Sequence, residues 1–133
     1  MKRSAALTPL SKEHHHALVI AKRLLDAGKQ STQALVSYWQ EVQADIEQEL
    51  LQHFAEEEAG FGDLLKGELQ IQFQHDHQQL RQLLKTDKPE EMLLFARKLK
   101  EHVRFEEREM FIWLETYHPQ TLKERLPHHI FSA

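Results

Sequence analysis

The chain has 133 residues, 41% hydrophobic and 29% charged, with a net charge of −4 and no cysteine. One domain spanning 1–133 is the expectation at this length, large enough to bury a core unaided. The missing cysteines exclude disulfides, thiolate nucleophiles, Cys-ligated zinc and iron–sulfur clusters. With mild acidity and no basic run, no nucleic-acid partner is expected.

Strictly apolar runs such as Ala17-Leu18-Val19-Ile20-Ala21 stop far short of the roughly 20 residues of a membrane span. No apolar stretch follows Lys2-Arg3. Neither a membrane partner nor a secretory signal is therefore expected, and the expected location is cytoplasmic. Four glycines, four prolines and few β-branched residues make an all-helical composition.

Breakers divide the chain into four long helices and one short one. Thr8-Pro9 opens the first, with Ser11 as a plausible cap, and it runs to about Gly28. The second starts at Ser31 or Thr32 and continues to about Gly60. Gly60 to Asp63 and Gly67 mark a turn, and the third helix covers roughly 68–85. Thr86-Asp87-Lys88-Pro89 starts the fourth, which runs to about Thr116. Pro119 permits a short helix over 120–126, which Pro127 ends, leaving a tail to Ala133. Connections this short favour antiparallel neighbours. The expected fold is an all-α, up-down-up-down four-helix bundle with a short C-terminal helix.

Inward stripes follow by stepping three or four residues along each helix. The first gives Leu10, His14, Ala17 or Leu18, Ala21 and Leu24 or Leu25. The second gives Leu35, Trp39, Val42, Ile46, Leu50, His53 and Glu57. The third gives Phe73, His77, Leu80 and Leu84. The fourth gives Met92, Phe95, Leu99, His102, Glu106, Met110 and Trp113. Each helix thus places a histidine on a stripe that should be apolar, and two add a glutamate one turn further on. His15 rivals His14, but stepping on from it reaches Lys22, whereas His14 leads to Ala21.

A buried, unpaired carboxylate costs several kcal/mol, so it is neutralised, paired or bound to a metal. Residues four apart share a helix face, so His53 with Glu57 and His102 with Glu106 can aim at one centre. Imidazole and carboxylate suit iron, manganese or zinc. Four imidazoles and two carboxylates exceed the needs of one tetrahedral ion and suit two ions bridged by carboxylates.

One His-x-x-x-Glu match is about what chance supplies with ten histidines and sixteen glutamates. Here both matches extend to His-apolar-x-x-Glu-Glu, at His53–Glu58 and His102–Glu107. Glu13-His14 and Asp76-His77 echo each other on the other two helices. The chain reads as a pseudo-repeat of two helical hairpins.

At these residues the sequence resembles the hemerythrin-like family, the HHE cation-binding domains, from Leu10 to about Leu126. Ser11 to Leu18, His53 to Glu58, Asp76 to Arg81 and His102 to Glu107 resemble its four helix motifs. The resemblance implies a four-helix bundle around a non-haem di-iron centre. His14 and His53 would hold one iron, His77 and His102 the other, and Glu57 and Glu106 would bridge them. Two positions depart from the dioxygen-carrying members. Phe73 stands where they have a further histidine, and Glu106 lies four residues after the last histidine where they have an aspartate five after it. Both point away from oxygen transport.

The remaining polar residues have plainer readings. Asp76 is placed to orient His77. Glu56, Glu58 and Glu107 read as a solvated acidic flank rather than ligands, the alternative being that one lends an oxygen, and His16 and His75 read as surface residues. His118, His128 and His129 flank C-terminal prolines, while Trp39, Trp113, Phe95 and Phe73 read as core fillers. No nucleophile–base pair or phosphate loop is present. The leading functional expectation is a di-iron protein that binds or senses dioxygen, nitric oxide or a related oxidant, or buffers iron. Zinc or manganese are alternative metals. The alternative from another class is a helical interaction or sensor module with a structural metal and a protein partner.

Overall fold

A computed structural model describes residues 3–126, which are mostly helical with no strand among them. Six α-helices follow in order: α1 (Thr8–Gln30), α2 (Thr32–Phe61), α3 (Gly67–Leu83), α4 (Pro89–Phe105), α5 (Phe111–Tyr117) and α6 (Pro119–Arg125). A 3₁₀ turn (Gly62–Leu64) follows α2, and a π-helical turn (Glu106–Met110) joins α4 to α5. No described helix is long and apolar enough to cross a membrane. The tail histidines His128 and His129, and Pro127, lie outside the described residues.

The breakers act close to where the sequence puts them, with local differences. Helix α1 begins before Ser11, because Pro9 sits in its first turn and Leu7 occupies the cap position. Ser11 is therefore inside the helix. Gly28 does not end α1; extended backbone at Ser31 does, and the Ser31 Oγ accepts from Ala34 N–H at 2.9 Å to cap α2. Gly67 opens α3 with φ of +59°, a left-handed conformation that favours glycine. At the other end of α3, α2 supplies donors to free carbonyls. Gln43 Nε2 donates to Leu84 O at 2.7 Å, and Trp39 Nε1 donates to Thr86 O at 3.1 Å.

The fourth helix is not a plain α-helix from 89 to 116. Within the π turn Phe111 N–H reaches Glu106 O, five residues back. The extra residue rotates everything downstream by about a quarter turn. Leu114 therefore becomes fully buried, and Trp113, expected on the inward stripe, is only half-buried.

Helix α1 packs along α2 and α4, and α3 packs along α4. Two apolar clusters form. One joins Leu24, Leu35, Trp39, Leu84, Phe95 and Leu99 with their neighbours. The other joins Leu7, Leu10, Phe61, Phe73, Phe111 and Leu122 with theirs. The inward stripes run from one cluster to the other. The stretch between them, on α1 to α4 and the π turn, carries buried histidine and glutamate.

Candidate metal centre

The buried polar residues of the described chain are His14, His53, Glu57, Asp76, His77, His102 and Glu106. Six of these seven were expected on the inward stripes. His14 is 3% exposed, whereas His15 is exposed, so His14 is the residue of that pair that faces the interior. The structure brings all six together in two overlapping groups: His14, His53, Glu57 and Glu106, and then Glu57, His77, His102 and Glu106. Within each group one donor atom per residue lies within 4.8 Å of the others. Glu57 and Glu106 belong to both.

The inward ring nitrogens crowd these carboxylates. His14 Nε2 lies 2.7 Å from Glu106, His53 Nε2 3.2 Å from Glu57, His77 Nε2 3.1 Å from Glu57, and His102 Nε2 3.1 Å from Glu106. Proximity does not make these aligned hydrogen bonds. Both oxygens of Glu57, both of Glu106, and Nε2 of His77 and His102 are buried with no hydrogen-bond partner. His14 and His53 point Nε2 at each other, 3.1 Å apart. Buried polar groups are normally satisfied, and a converging set of orphans calls for an ion. Nitrogen and carboxylate donors in this number suit a first-row transition metal. The residues therefore fit a metal, and these buried His/Glu groups can hold one.

Each of the four buried histidines is held from behind by a carboxylate. Since carboxylate oxygens accept, each Nδ1–H donates: His14 to Glu107 at 2.6 Å, His53 to Glu13 at 2.6 Å, His77 to Glu58 at 2.7 Å, and His102 to Asp76 at 2.8 Å. These bonds fix the tautomer that leaves Nε2 free to face the centre. The pattern has an approximate two-fold repeat. The acid just before the histidine on α1 or α3 serves the histidine of α2 or α4. The acid just after Glu57 or Glu106 serves the histidine of α3 or α1.

Three sequence expectations change as a result. Asp76 orients His102, on the neighbouring helix, and not His77. A side chain 100° off the inward stripe points along the helix–helix seam, toward the next helix. For the same reason Glu58 and Glu107 are not a solvated flank. Arg81 clamps Glu58 with two bonds of 2.8 and 2.9 Å. Arg3 and Ser11 reach Glu107 at 3.1 and 2.8 Å. Glu13 orients His53, a role that stepping along the helix does not assign to it. The available signal was the acidic neighbour beside each helix-one and helix-three histidine, together with the Glu-Glu doublets.

The electrostatics follow from the crowding. Burial alone would lower the histidine pKa values, but the carboxylates outweigh it. The field of Glu57 and the Glu13 bond push His53 up to about 9. The field of Glu106 and the Asp76 bond push His102 up to about 10. His14 and His77 are raised too, against burial, by their carboxylate contacts. Burial and mutual repulsion would raise Glu57 and Glu106, yet the histidines hold Glu57 below, and Glu106 well below, the usual range. Without a metal, protons held among the four imidazoles offset the carboxylate charge. A cation binding here displaces those protons.

Apolar rings pack against two of the site's histidines. Phe54 stacks on His77 with centroids 4.2 Å apart, Phe111 stacks on His14 at 5.4 Å, and Phe73 lies 4.1 Å from His77. Compared with protein-family models, curated proteins and solved structures, the chain matches none.

Proposed function

We propose that this chain is a hemerythrin-like protein: a single-domain up-down-up-down four-helix bundle around a carboxylate-bridged, non-haem di-iron centre. In this reading it binds or senses dioxygen, nitric oxide or a related small oxidant, or buffers iron. The observation that carries the proposal is the sharing of Glu57 and Glu106 between two buried four-residue donor groups. A single structural ion needs one group; two groups with common carboxylates suit a bridged pair.

In this assignment His14 and His53 serve one iron, His77 and His102 the other, and Glu57 and Glu106 both. Bound iron would supply redox chemistry and sites for a small ligand. The chain's own residues do the rest. Glu13, Glu58, Asp76 and Glu107 orient the imidazoles, and phenylalanine rings pack against His14 and His77.

Metal analysis and an optical spectrum of protein purified without air test the reading. The expected result is about two iron atoms per chain, with a spectrum that changes on oxidation. His53→Ala and His102→Ala should each lose metal, while His75→Ala, on the surface, should not. One colourless zinc per chain, whose removal only lowers the melting temperature, favours the sensor module with a structural metal. Iron content unchanged in both histidine variants refutes the ligand assignment.

A further inference from the structure

Two arginines stand behind the centre in matching arrangements. Arg81 clamps Glu58 with bonds of 2.8 and 2.9 Å, and Glu58 accepts from His77 Nδ1–H at 2.7 Å. Arg3 donates to Glu107 at 3.1 Å, and Glu107 accepts from His14 Nδ1–H at 2.6 Å. In each case one phenylalanine touches both the arginine and the same histidine. Arg81 lies over the Phe54 ring at 5.5 Å, and Phe54 stacks on His77. Arg3 lies over the Phe111 ring at 5.3 Å, and Phe111 stacks on His14. An arginine thus reaches each of these histidines by a polar route and an aromatic one.

The two arrangements are not copies of one sequence motif. Arg81 follows His77 by four residues, but Leu18 holds the same place after His14, and Arg3 comes from ahead of α1. Phe54 follows His53, but Val103 follows His102, and Phe111 comes from beyond the π turn. Non-equivalent residues converge on one arrangement, which sequence repetition alone does not explain. Chemistry supplies a reason. The side chains of Glu58 and Glu107 are 38% and 27% exposed, so water competes for them. A planar guanidinium can hold a carboxylate and lie on an aromatic face at once. Glu13 and Asp76, behind His53 and His102, meet no arginine among the described residues. One histidine of each donor group is therefore clamped.

We infer that Arg3 and Arg81 are positioning residues of the metal centre, one for each donor group, and that the segment carrying Arg3 is part of the site. The inference rests on the metal-centre reading for the ion, and on the two clamps for what holds its ligands.

Titration of the full chain with ferrous iron, without air and against a competing metal indicator, tests it. Both arginines are part-exposed, so their variants should keep their helicity. Arg81→Met and Arg3→Met should each weaken iron binding by about threefold to tenfold, less than loss of the orienting acid itself. The loss should be larger for Arg81, because Ser11 still holds Glu107 at 2.8 Å when Arg3 is gone. Arg81→Lys, which keeps a donor but not the fork, should recover part of the affinity. Arg23→Met, exposed on α1, should change nothing. A clamp acts through its acid, so Arg81→Met should cost far less affinity in the Glu58→Gln background, as should Arg3→Met in Glu107→Gln. Fully additive losses overturn the inference. So does a lower melting temperature with unchanged iron affinity, because the arginines are then structural staples only. Two ions per wild-type chain with additive losses would leave the di-iron reading standing and sink this one. One ion per chain with the coupling intact would do the reverse, and a wild type that takes up no iron would overturn both.

Discussion

Glu107 touches Nδ1 of His14 at 2.6 Å, while its neighbour Glu106 lies 2.7 Å from Nε2 of the same ring. Two consecutive residues of the π turn thus take the two nitrogens of one imidazole. Arg3 and Ser11 hold Glu107 in place, and Arg3 also donates to the Glu107 carbonyl at 2.9 Å. Loss of an orienting partner behind a metal-bound histidine costs about 10–100-fold in metal affinity. Glu107→Ala should therefore weaken metal binding by that factor, while Glu109→Ala, exposed on the same turn, should leave it unchanged. A competition titration with a metal indicator measures both. Equal affinities in the two variants would show that the His14–Glu107 bond does not orient a ligand.

Much of this site is legible in the sequence, and the limits have a geometric cause. Stepping by threes and fours sorts residues into inward and outward, and that suffices for His14, His53, Glu57, His77, His102 and Glu106. Glu13, Glu58, Asp76 and Glu107 fall between the two classes. Each sits one residue off the stripe, where the side chain meets the adjacent helix; Glu58 and Glu107 therefore look like ordinary surface charge, and Asp76 like a partner of its own neighbour His77. The π turn leaves no mark either, because Glu106 to Met110 contains no breaker. Its consequence, Leu114 inside and Trp113 half outside, is a phase error that periodicity alone cannot reveal.

That phase shift is testable by stability. Leu114 is fully buried in the cluster with Phe61 and Phe111. Truncating such a leucine costs about 2–5 kcal/mol. Trp113, half-buried, packs on Tyr117 and His118 with ring centroids 5.6 and 5.2 Å apart. In an uninterrupted α-helix Trp113 would face the core and its loss would be the larger. Urea unfolding of Leu114→Ala and Trp113→Ala should show the greater loss for Leu114. The reverse order would place 106–110 in a regular α-helix.

The metal-free protein should have a stability profile set by its histidines. A histidine pKa raised by folding, from about 6.5 when unfolded, stabilises fully below that value. The contribution falls as pH rises and is gone above the folded-state values, about 9 for His53 and about 10 for His102. Glu57 and Glu106 are lowered by folding, so their contribution is present at neutral pH and is lost in acid. Chelated protein should thus be most resistant to urea near neutrality and lose resistance steadily between pH 7 and 10. Metal-loaded protein should vary less over that range, because a bound cation has already displaced the protons and stabilises by linkage. Binding near pH 7 should release protons, seen as a metal-binding heat that depends on the buffer's ionisation enthalpy. A flat alkaline profile for chelated protein contradicts the ion-pair account.

Phe73 sets the character of the second donor group. Its side chain is 2% exposed, its ring centroid lies 4.1 Å from that of His77, and the planes are tilted by 48°. It also packs against Phe61 at 5.9 Å. An apolar ring therefore occupies the place, one turn before His77, from which another imidazole would reach the centre. Glu57, His77, His102 and Glu106 then supply as many carboxylates as imidazoles. Oxygen-rich coordination favours the harder ferric state over the ferrous. Iron-loaded, fully reduced protein should accordingly be oxidised by air and not carry dioxygen reversibly. The check is a cycle: load ferrous iron without air, admit dioxygen, remove it under vacuum, and record the spectrum. Quantitative return of the reduced form without added reductant would overturn this reading. Phe73→His should slow the oxidation by adding a nitrogen donor. The same change buries a polar ring with no apolar packing, which destabilises the chelated protein. Metal should recover part of that loss, so the melting temperature of Phe73→His should rise more on iron loading than that of the wild type. An equal rise in both would mean that position 73, although packed on His77, offers nothing to the metal.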